Sequence, residues 1–254
     1  VPPALRQNDR AVRVELRASR GYPRFVARDG RAPARREVRA SDSPLVERIT
    51  RSVYEADAEE WSTPDGCWDI VVIQRARGTM VLQTGLTSKP VQLRSSPGDT
   101  YVTISFKPGV FMPQTPGPSM VDRGLVRPAT STRSFAVEGE TLEIPTFDNA
   151  EGLVDRLLGR GLLARDALVE SVVQGRPLAT TPRSVQRHFL LALGMTPRQF
   201  GQIRRARQAL DRLEAGQPIA AVAADLGYAD QPHMTRSLKA IMGQTPGEIV
   251  RARR

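Results

Sequence analysis

Cysteine and histidine are scarce in this sequence of 254 residues. The single cysteine, Cys67, excludes an internal disulfide and a cysteine-rich zinc site. The two histidines, His188 and His233, both lie in the last third of the chain, so the first two thirds lack the commonest metal ligand. We therefore expect no metal site and no cofactor.

Long apolar runs are also missing. No window approaches the roughly 18 consecutive apolar residues of a membrane-spanning helix. The first ten residues carry charges where a signal peptide needs an apolar stretch. These absences predict a cytoplasmic protein that does not associate with a membrane.

Basic residues are concentrated at the two ends of the chain, which has a formal net charge of +10. Residues 1–40 hold 11 arginines against 4 acidic residues, and residues 181–254 hold 12 lysines or arginines against 5. Clustered cations bind phosphates by releasing counterions, which favours a polyanionic partner. Ordinary solvated arginines, encoded by a GC-rich genome, are the alternative explanation.

Strand-like patterns dominate the first 145 residues. Ala11–Leu16 alternates as a half-buried strand does, and the interval of four between Leu45, Ile49 and Val53 predicts a short helix after Ser43 and Pro44. From about residue 61 to 145 the period is two, with dense glycine and proline turn signals. The strands predicted there are Trp68–Ile73, Thr79–Gln83, Val91–Arg94 and Tyr101–Phe106.

A helical pattern follows from about residue 149 to the end, with Leu153, Leu157, Leu158, Leu162 and Leu163 on one apolar face. The sequence therefore predicts an α+β protein of two domains, with a β-rich barrel or sandwich before an all-α domain. The predicted bounds are 1–40 for a basic segment, 41–148 for the β-rich domain and 149–254 for the helical domain.

Two successive helices open with the same signal, a threonine followed by proline. Thr181 begins a helix that runs over 182–193, and Thr196 begins one of about 28 Å over 197–215. The first helix turns Arg183, Gln186 and Arg187 away from its apolar face. Arginine pairs with guanine and glutamine with adenine in the major groove, so these side chains suit base reading.

A second pair of helices gives the clearest signal of a helix-turn-helix unit. Ile219–Leu226 predicts a short helix that ends at Gly227, and Asp230 caps the next helix, which runs to about Met242. The outward positions of this last helix are polar. They are Gln231, His233, Thr235, Arg236 and Lys239.

Over about residues 165–250 the sequence resembles the AraC/XylS family of bacterial transcription regulators. The matching stretches are SVQRHFLLALGMTPRQF at 184–200 and IAAVAADLGYADQPHMTRSLKAIMGQTPGEI at 219–249. The resemblance implies two helix-turn-helix units that a long helix joins and that bind adjacent major-groove segments. The reading positions that it implies are Arg183, Gln186 and Arg187 in the first unit and Gln231, His233 and Arg236 in the second.

The first unit departs from the family pattern. A loop of seven residues, 174–180, separates the candidate positioning helix Ala167–Val173 from the recognition helix. This departure predicts a first unit that docks loosely or reads little sequence.

A fainter resemblance links residues 44 to about 128 to the sensor-like, cupin-like N-terminal domain of one AraC subgroup, through PDGCWD at 64–69 and FKPG at 106–109. Such a domain implies a small-molecule effector or dimerisation. The candidate effector-binding residues are Trp61, Trp68, Asp69, Phe106, Phe111 and Met112. Because this region lacks histidine, a metal site of the cupin kind is excluded.

The hypothesis that follows is a sequence-specific regulator that binds double-stranded promoter DNA, responds to a small effector and has no enzymatic activity, since hydrolase and phosphate-loop motifs are missing. A homodimer, and RNA polymerase if the protein is an activator, are the further expected partners. One alternative is an effector-free regulator whose N-terminal domain only dimerises. Another is a sensor or repair protein that acts through the thiol of Cys67 and carries a DNA-targeting tail.

Overall fold

The computed structural model describes residues 12–15, 34–176 and 179–252. Within these residues every strand but one, of two residues, precedes residue 144, and every α-helix follows residue 149, so the predicted α+β class is confirmed. The predicted domain bounds stay predictions, and most of the basic segment 1–40 lies outside the described residues. The strands are β1 (Val12–Glu15), β2 (Ala34–Arg39), β3 (Val46–Tyr54), β4 (Ala58–Ser62), β5 (Trp68–Arg75), β6 (Gly78–Thr84), β7 (Val91–Ser95), β8 (Thr100–Phe106), β9 (Val110–Phe111), β10 (Arg123–Arg127), β11 (Ser134–Val137), β12 (Glu140–Glu143) and β13 (Ala164–Arg165).

An antiparallel sheet of seven strands, in the order β1-β10-β6-β5-β8-β3-β2, forms the body of the β-rich region. The smaller sheet β4–β7 is joined to it by hydrogen bonds, from Tyr54 to Glu60 (2.7 Å) and from Ser95 to Tyr101 (2.9 Å). Two further pairs are β11–β12 and β9–β13. The pair β9–β13 connects the β-rich region to the segment that leads into the helices.

The helix predicted after Ser43 and Pro44 is wrong, because Val46–Tyr54 is the strand β3. An interval of four residues returns to the same face of a strand as well as of a helix, so the spacing of Leu45, Ile49 and Val53 fits both. A register shift between Val46 and Arg48 further obscures the alternation that marks a strand.

Seven α-helices lie in the described residues, and none of them is long and apolar enough to cross a membrane. The helices are α1 (Ala150–Gly159), α2 (Ala167–Val173), α3 (Pro182–Leu193), α4 (Pro197–Glu214), α5 (Ile219–Asp225), α6 (Gln231–Ile241) and α7 (Pro246–Ala252). A short 3₁₀ turn, Gly117–Ser119, precedes β10. Helices α3, α4 and α6 begin and end within a residue of their predicted bounds.

The buried apolar side chains form two clusters. The first, which we call the large core, runs from the sheet through α1, α2 and α3 to Phe200 and Ile203 in α4. The second, the small core, begins at Ala206 in the same helix and contains the buried faces of α5, α6 and α7. The division between the two cores therefore falls inside α4.

Helix α1 offers a matched test of the large core. Leu153 is completely buried, whereas Leu158, predicted on the same apolar face, is 46% exposed. We expect Leu153→Ala to lower the free energy of unfolding by about 2–5 kcal/mol, because it leaves a cavity between helix and sheet. Leu158→Ala should change it by less than about 0.5 kcal/mol. Urea denaturation measures both, and equal losses would contradict the placement of α1.

Candidate nucleic-acid interface

The second helix-turn-helix unit consists of α5, a turn at Gly227–Asp230, and α6. The Asp230 carboxylate accepts a hydrogen bond from the backbone N–H of His233 (2.6 Å), which caps α6 as predicted. Met234, Leu238 and Met242 are completely buried in the small core. Their burial fixes which side of α6 faces out.

An aromatic clamp holds the turn of this unit against α4. The guanidinium of Arg205 lies 4.5 Å from the centre of the Tyr228 ring and donates a hydrogen bond to the Gly227 carbonyl (3.3 Å). The ring of Tyr228 meets that of His233 edge to face, and Nδ1 of His233 accepts from the backbone N–H of Ala229 (3.3 Å). The clamp therefore occupies His233, one of the predicted reading residues.

The outward face of α6 divides into engaged and unengaged side chains. Thr235 donates its hydroxyl to the Gln231 carbonyl (3.0 Å), and the Lys239 ammonium pairs with Glu248 of α7 (3.2 Å). The side chains of Gln231 and Arg236 are exposed and form no hydrogen bond or ion pair with the described part of the chain. These two are the side chains of α6 that are most available to a partner.

The first unit is built from α2 and α3, which one aspartate joins. The carboxylate of Asp166 caps α2 by accepting from the backbone N–H groups of Leu168 and Val169 (both 3.1 Å). Its other oxygen meets Nδ1 of His188 in α3 at 2.7 Å. One buried aspartate thus fixes both helices, although a long loop separates them.

The outward face of α3 carries the three residues that were predicted to read bases. Arg183, Gln186 and Arg187 are exposed, and among the described residues none of them has a hydrogen-bond or ion-pair partner. On the opposite face, Phe189 and Leu193 are each 1% exposed within the large core. Helix α3 therefore presents two arginines and a glutamine to solvent from a fixed base.

Helix α4 joins the two units and starts with a capping box, in which Thr196 accepts from the Gln199 N–H (3.2 Å) and Gln199 accepts from the Thr196 N–H (2.9 Å). Near its middle, Arg204 donates to the Val173 carbonyl at the end of α2 (2.6 Å), and Arg207 donates to the Thr63 hydroxyl (3.2 Å). Its 18 residues span about 27 Å.

The six candidate effector residues do not line one pocket. Trp68 and Phe106 are buried and stacked, with ring centres 4.1 Å apart, and the Trp68 indole N–H donates to the Val110 carbonyl (2.7 Å). Trp68, Phe111 and Met112 border a cavity of about 20 Å³, and Trp61 and Asp69 are not among its lining residues. Small-molecule sites usually measure about 300–1,000 Å³, so this cavity is too small for an effector.

A larger opening lies at the far end of β5, where an open groove has a volume of about 670 Å³. Three arginines and three acidic residues border it, and two of the arginines are already paired. Arg75 meets Asp99 at 3.2 Å and Arg94 meets Glu59 at 2.8 Å. No local pattern predicts this groove, because its residues come from three separate segments of the chain, 57–59, 75–77 and 94–99.

Asp69 has an unusual environment at the start of β5. The Ser105 hydroxyl donates to its Oδ1 (2.6 Å), and its neighbour Asp65 pairs with Arg48. Burial, and then the negative charge of Asp65, raise the pKa of the Asp69 carboxyl to about 7.

Cys67 lies between Asp65 and Asp69 in the sequence and is buried. Burial, followed by the charges of Asp65 and Asp69, raises the pKa of the thiol well above its ordinary value. The reactive form of cysteine is the thiolate, which this environment disfavours.

Sequence reasoning missed two residues that organise the interface, Asp166 and Arg205. An aspartate directly before an apolar helical run is a capping signal, so Asp166 could have been found from the sequence. The position of Arg205 over the Tyr228 ring depends on the packing of α4 against α5, which no local pattern reveals.

The raised pKa of Asp69 makes a sign-specific prediction for pH. A carboxyl group whose pKa is higher in the folded than in the unfolded protein is fully stabilising only at low pH, and that stability is lost as the pH rises from about 4 to about 7. Asp69→Asn removes this loss. We therefore expect the free energy of unfolding of the variant, minus that of the wild type, to be larger at pH 8 than at pH 4.5. Urea denaturation at the two pH values measures this difference. An equal difference at the two pH values would contradict the raised pKa.

Comparisons with known proteins bear on the helical part of the chain. Residues 176–252 match the family model described as a helix-turn-helix domain, and no curated protein matches the chain. The structure of ToxT from Vibrio cholerae is similar at 9% sequence identity and a TM-score of 0.37, over 87% of this chain and 98% of that one. A TM-score this low supports no conclusion about function. The motifs at 184–200 and 219–249 both lie within residues 176–252, which form a helix-turn-helix domain.

Proposed function

We propose that this chain is a transcription regulator of the AraC/XylS kind, which reads specific DNA sequences by inserting α3 and α6 into successive major-groove segments. One observation carries the proposal: both helices present arginine and glutamine side chains that are exposed and have no partner within the described residues. Unpaired polar groups on a firmly packed helix suit base reading, because their hydrogen bonds are free for the partner.

Each side chain has a proposed role that follows from its contacts. Arg183 and Arg187 on α3, and Arg236 on α6, suit guanine, whose O6 and N7 accept two hydrogen bonds from a guanidinium group. Gln186 and Gln231 suit adenine for the corresponding reason.

The remaining three candidates on α6 suit positioning better than base reading. Thr235 and Lys239 are assigned to the phosphate backbone, which takes hydroxyl and ammonium donors without regard to sequence. His233 is assigned to the clamp at the turn, where its ring already meets Tyr228. These assignments leave five of the six predicted reading positions for base contact, because His233 is assigned to the clamp.

The length of α4 supports simultaneous reading by the two units. Equivalent major-groove faces recur about every 34 Å along one side of B-DNA, and α4 spans about 27 Å between the units. A continuous helix of this length supplies a rigid spacer. The breadth of the two units adds to the distance between α3 and α6.

Selection of duplexes from a random pool by the wild-type chain, followed by anisotropy titration, tests the proposal. On a selected duplex, Arg236→Ala should weaken binding by about 1–3 kcal/mol and relax the preference at one base pair. Arg133→Ala is the matched control, since Arg133 is exposed in the segment between β10 and β11 and carries the same charge. It should leave the base preference unchanged.

Two results would contradict sequence-specific reading. One is equal affinity of the wild type for selected and scrambled duplexes at the same salt concentration. The other is an unaltered base preference in Arg236→Ala.

We further propose that the β-rich region receives a small polar effector in the groove bordered by Arg75 and Arg94. The size of the groove, about 670 Å³, supports this, and its mixture of cationic and anionic side chains favours a zwitterionic or strongly polar ligand over an apolar one. The alternative is an effector-free regulator in which the β-rich region serves dimerisation. RNA polymerase is a proposed partner if the regulator activates transcription.

A thermal-shift screen over polar metabolites separates these alternatives. A true effector raises the melting temperature of the wild type by mass action, and Arg94→Ala should reduce that rise. If the screen finds no ligand and sedimentation shows a dimer, the effector-free alternative is favoured.

The third alternative, chemistry at the Cys67 thiol, has its own test. Because this thiol is buried and its pKa is raised, we expect iodoacetamide to modify it far more slowly in the folded chain than in urea. Mass spectrometry measures the modification. Equal rates would restore the thiol hypothesis.

A further inference from the structure

Two glycines that lie far apart in sequence bring the β-rich region and α3 together, backbone against backbone. Gly117 begins the 3₁₀ turn before β10, and Gly194 ends α3 with a φ of 73°. A Cβ atom added at Gly117 would lie 2.7 Å from the carbonyl carbon of Leu193 and closer still to the amide nitrogen of Gly194. No larger residue fits at Gly117 unless one backbone moves away from the other.

The segment that carries Gly117 is itself fixed to the large sheet. The backbone N–H of Asp122 donates to the Leu86 carbonyl (3.0 Å), and its carboxylate accepts from both the N–H and the hydroxyl of Ser88 (2.6 Å each). Gly85 donates to the carbonyl of Arg123 (2.8 Å). The turn therefore presents Gly117 to α3 from a rigid base.

Three more contacts join the first helix-turn-helix unit to the β-rich region. Strand β13, directly before α2, pairs with β9, and the N–H of Asp166 donates to the Gly109 carbonyl (2.8 Å). Gly66 lies against the Phe200 ring at the start of α4. The apolar residues of α2 and α3 belong to the large core and form no core of their own.

The second unit has a different set of neighbours. Its buried side chains form the small core with the C-terminal half of α4, from Ala206 onward. Ile241, at the end of α6, is partly buried and packs against both cores. Arg207, in the C-terminal half of α4, also donates to the Thr63 hydroxyl (3.2 Å). Beyond these two contacts, α4 itself is the main link between the second unit and the large core.

We infer that the first helix-turn-helix unit and the β-rich region form one mechanical body, and that the second unit is a separate body joined to it through α4. The consequences of this inference for DNA binding rest on the proposed function. A change in the β-rich region then moves α3 relative to α6, so that it alters the spacing of the two reading helices. The close backbone contact between Gly117 and Gly194 transmits this movement from the β-rich region to α3.

Native-state hydrogen exchange of the wild type tests the inference without DNA. We expect the slowest amides of α3 to open together with those of β8, because they share the large core. The amides of α6 should open in a separate event. If α3 and α6 open together and the strands open separately, the two units form a single body and the inference is overturned.

Gly117→Ala extends the test to DNA. Forcing a methyl group between the two backbones should speed exchange in α3 by about tenfold or more and leave α6 unchanged. On a duplex selected by the wild type, hydroxyl-radical protection by the first unit should weaken while protection by the second remains. Gly159→Ala, at an uncrowded position near the end of α1, is the control and should change neither.

The outcomes separate the inference from the proposed function. If the wild type selects no duplex, the proposed function fails, whereas the exchange data still decide between one body and two. If a folded Gly117→Ala shows wild-type exchange and wild-type protection at both segments, the inference fails and the proposed function stands.

Discussion

The burial of Phe189 and Leu193 in the large core is the interaction on which the arrangement of α3 depends. Helices α2 and α3 have 7 and 12 residues, too few to enclose a core of their own. They obtain that core from the β-rich region, through Trp68, Val110 and Met112 among others. Because the apolar face of α3 is held there, Arg183 and Arg187 must face solvent. The outward face of α3, which we propose reads DNA, therefore depends on the attachment of α3 to the β-rich region.

The second unit reaches the same result by other means. Its small core is made mostly of alanines, methionines and leucines from α4 to α7, and the contacts of Arg205 and His233 with the Tyr228 ring fix the turn. A cationic group over an aromatic ring gains most where water is excluded, and Tyr228 is only 6% exposed. Local capping by Asp230 then sets the direction of α6. The two units thus present similar outward faces but pack on different cores, the large core and the small core. In our inference this difference permits the β-rich region to act on the first unit and not on the second.

The sequence predicted the helical half well because its boundaries are local. Thr181, Thr196 and Asp230 cap their helices through hydrogen bonds to residues within the next three positions, so the pattern alone carries the information. The β-rich half was harder to predict, because the apolar residues of β3 recur at an interval of four residues that a helix also allows.

Contacts between segments that are far apart in the chain could not be predicted from the sequence. The predicted effector residues Trp68 and Phe106 pack against each other in the core, and aromatic residues on strands give no local sign of whether they face a ligand or a neighbour. The approach of Gly117 to Gly194 was hidden for the same reason. The capping signal of Asp166 was visible, but its bond to His188, 22 positions away, was not.

The central claim is that α3 and α6 read two major-groove segments on one side of the duplex. Methylation interference measures this most directly, because methyl groups at guanine N7 project into the major groove. On a duplex selected by the wild-type chain, the account predicts two clusters of interfering guanines about one helical turn apart. Binding that guanine methylation leaves unaffected at either segment would contradict it.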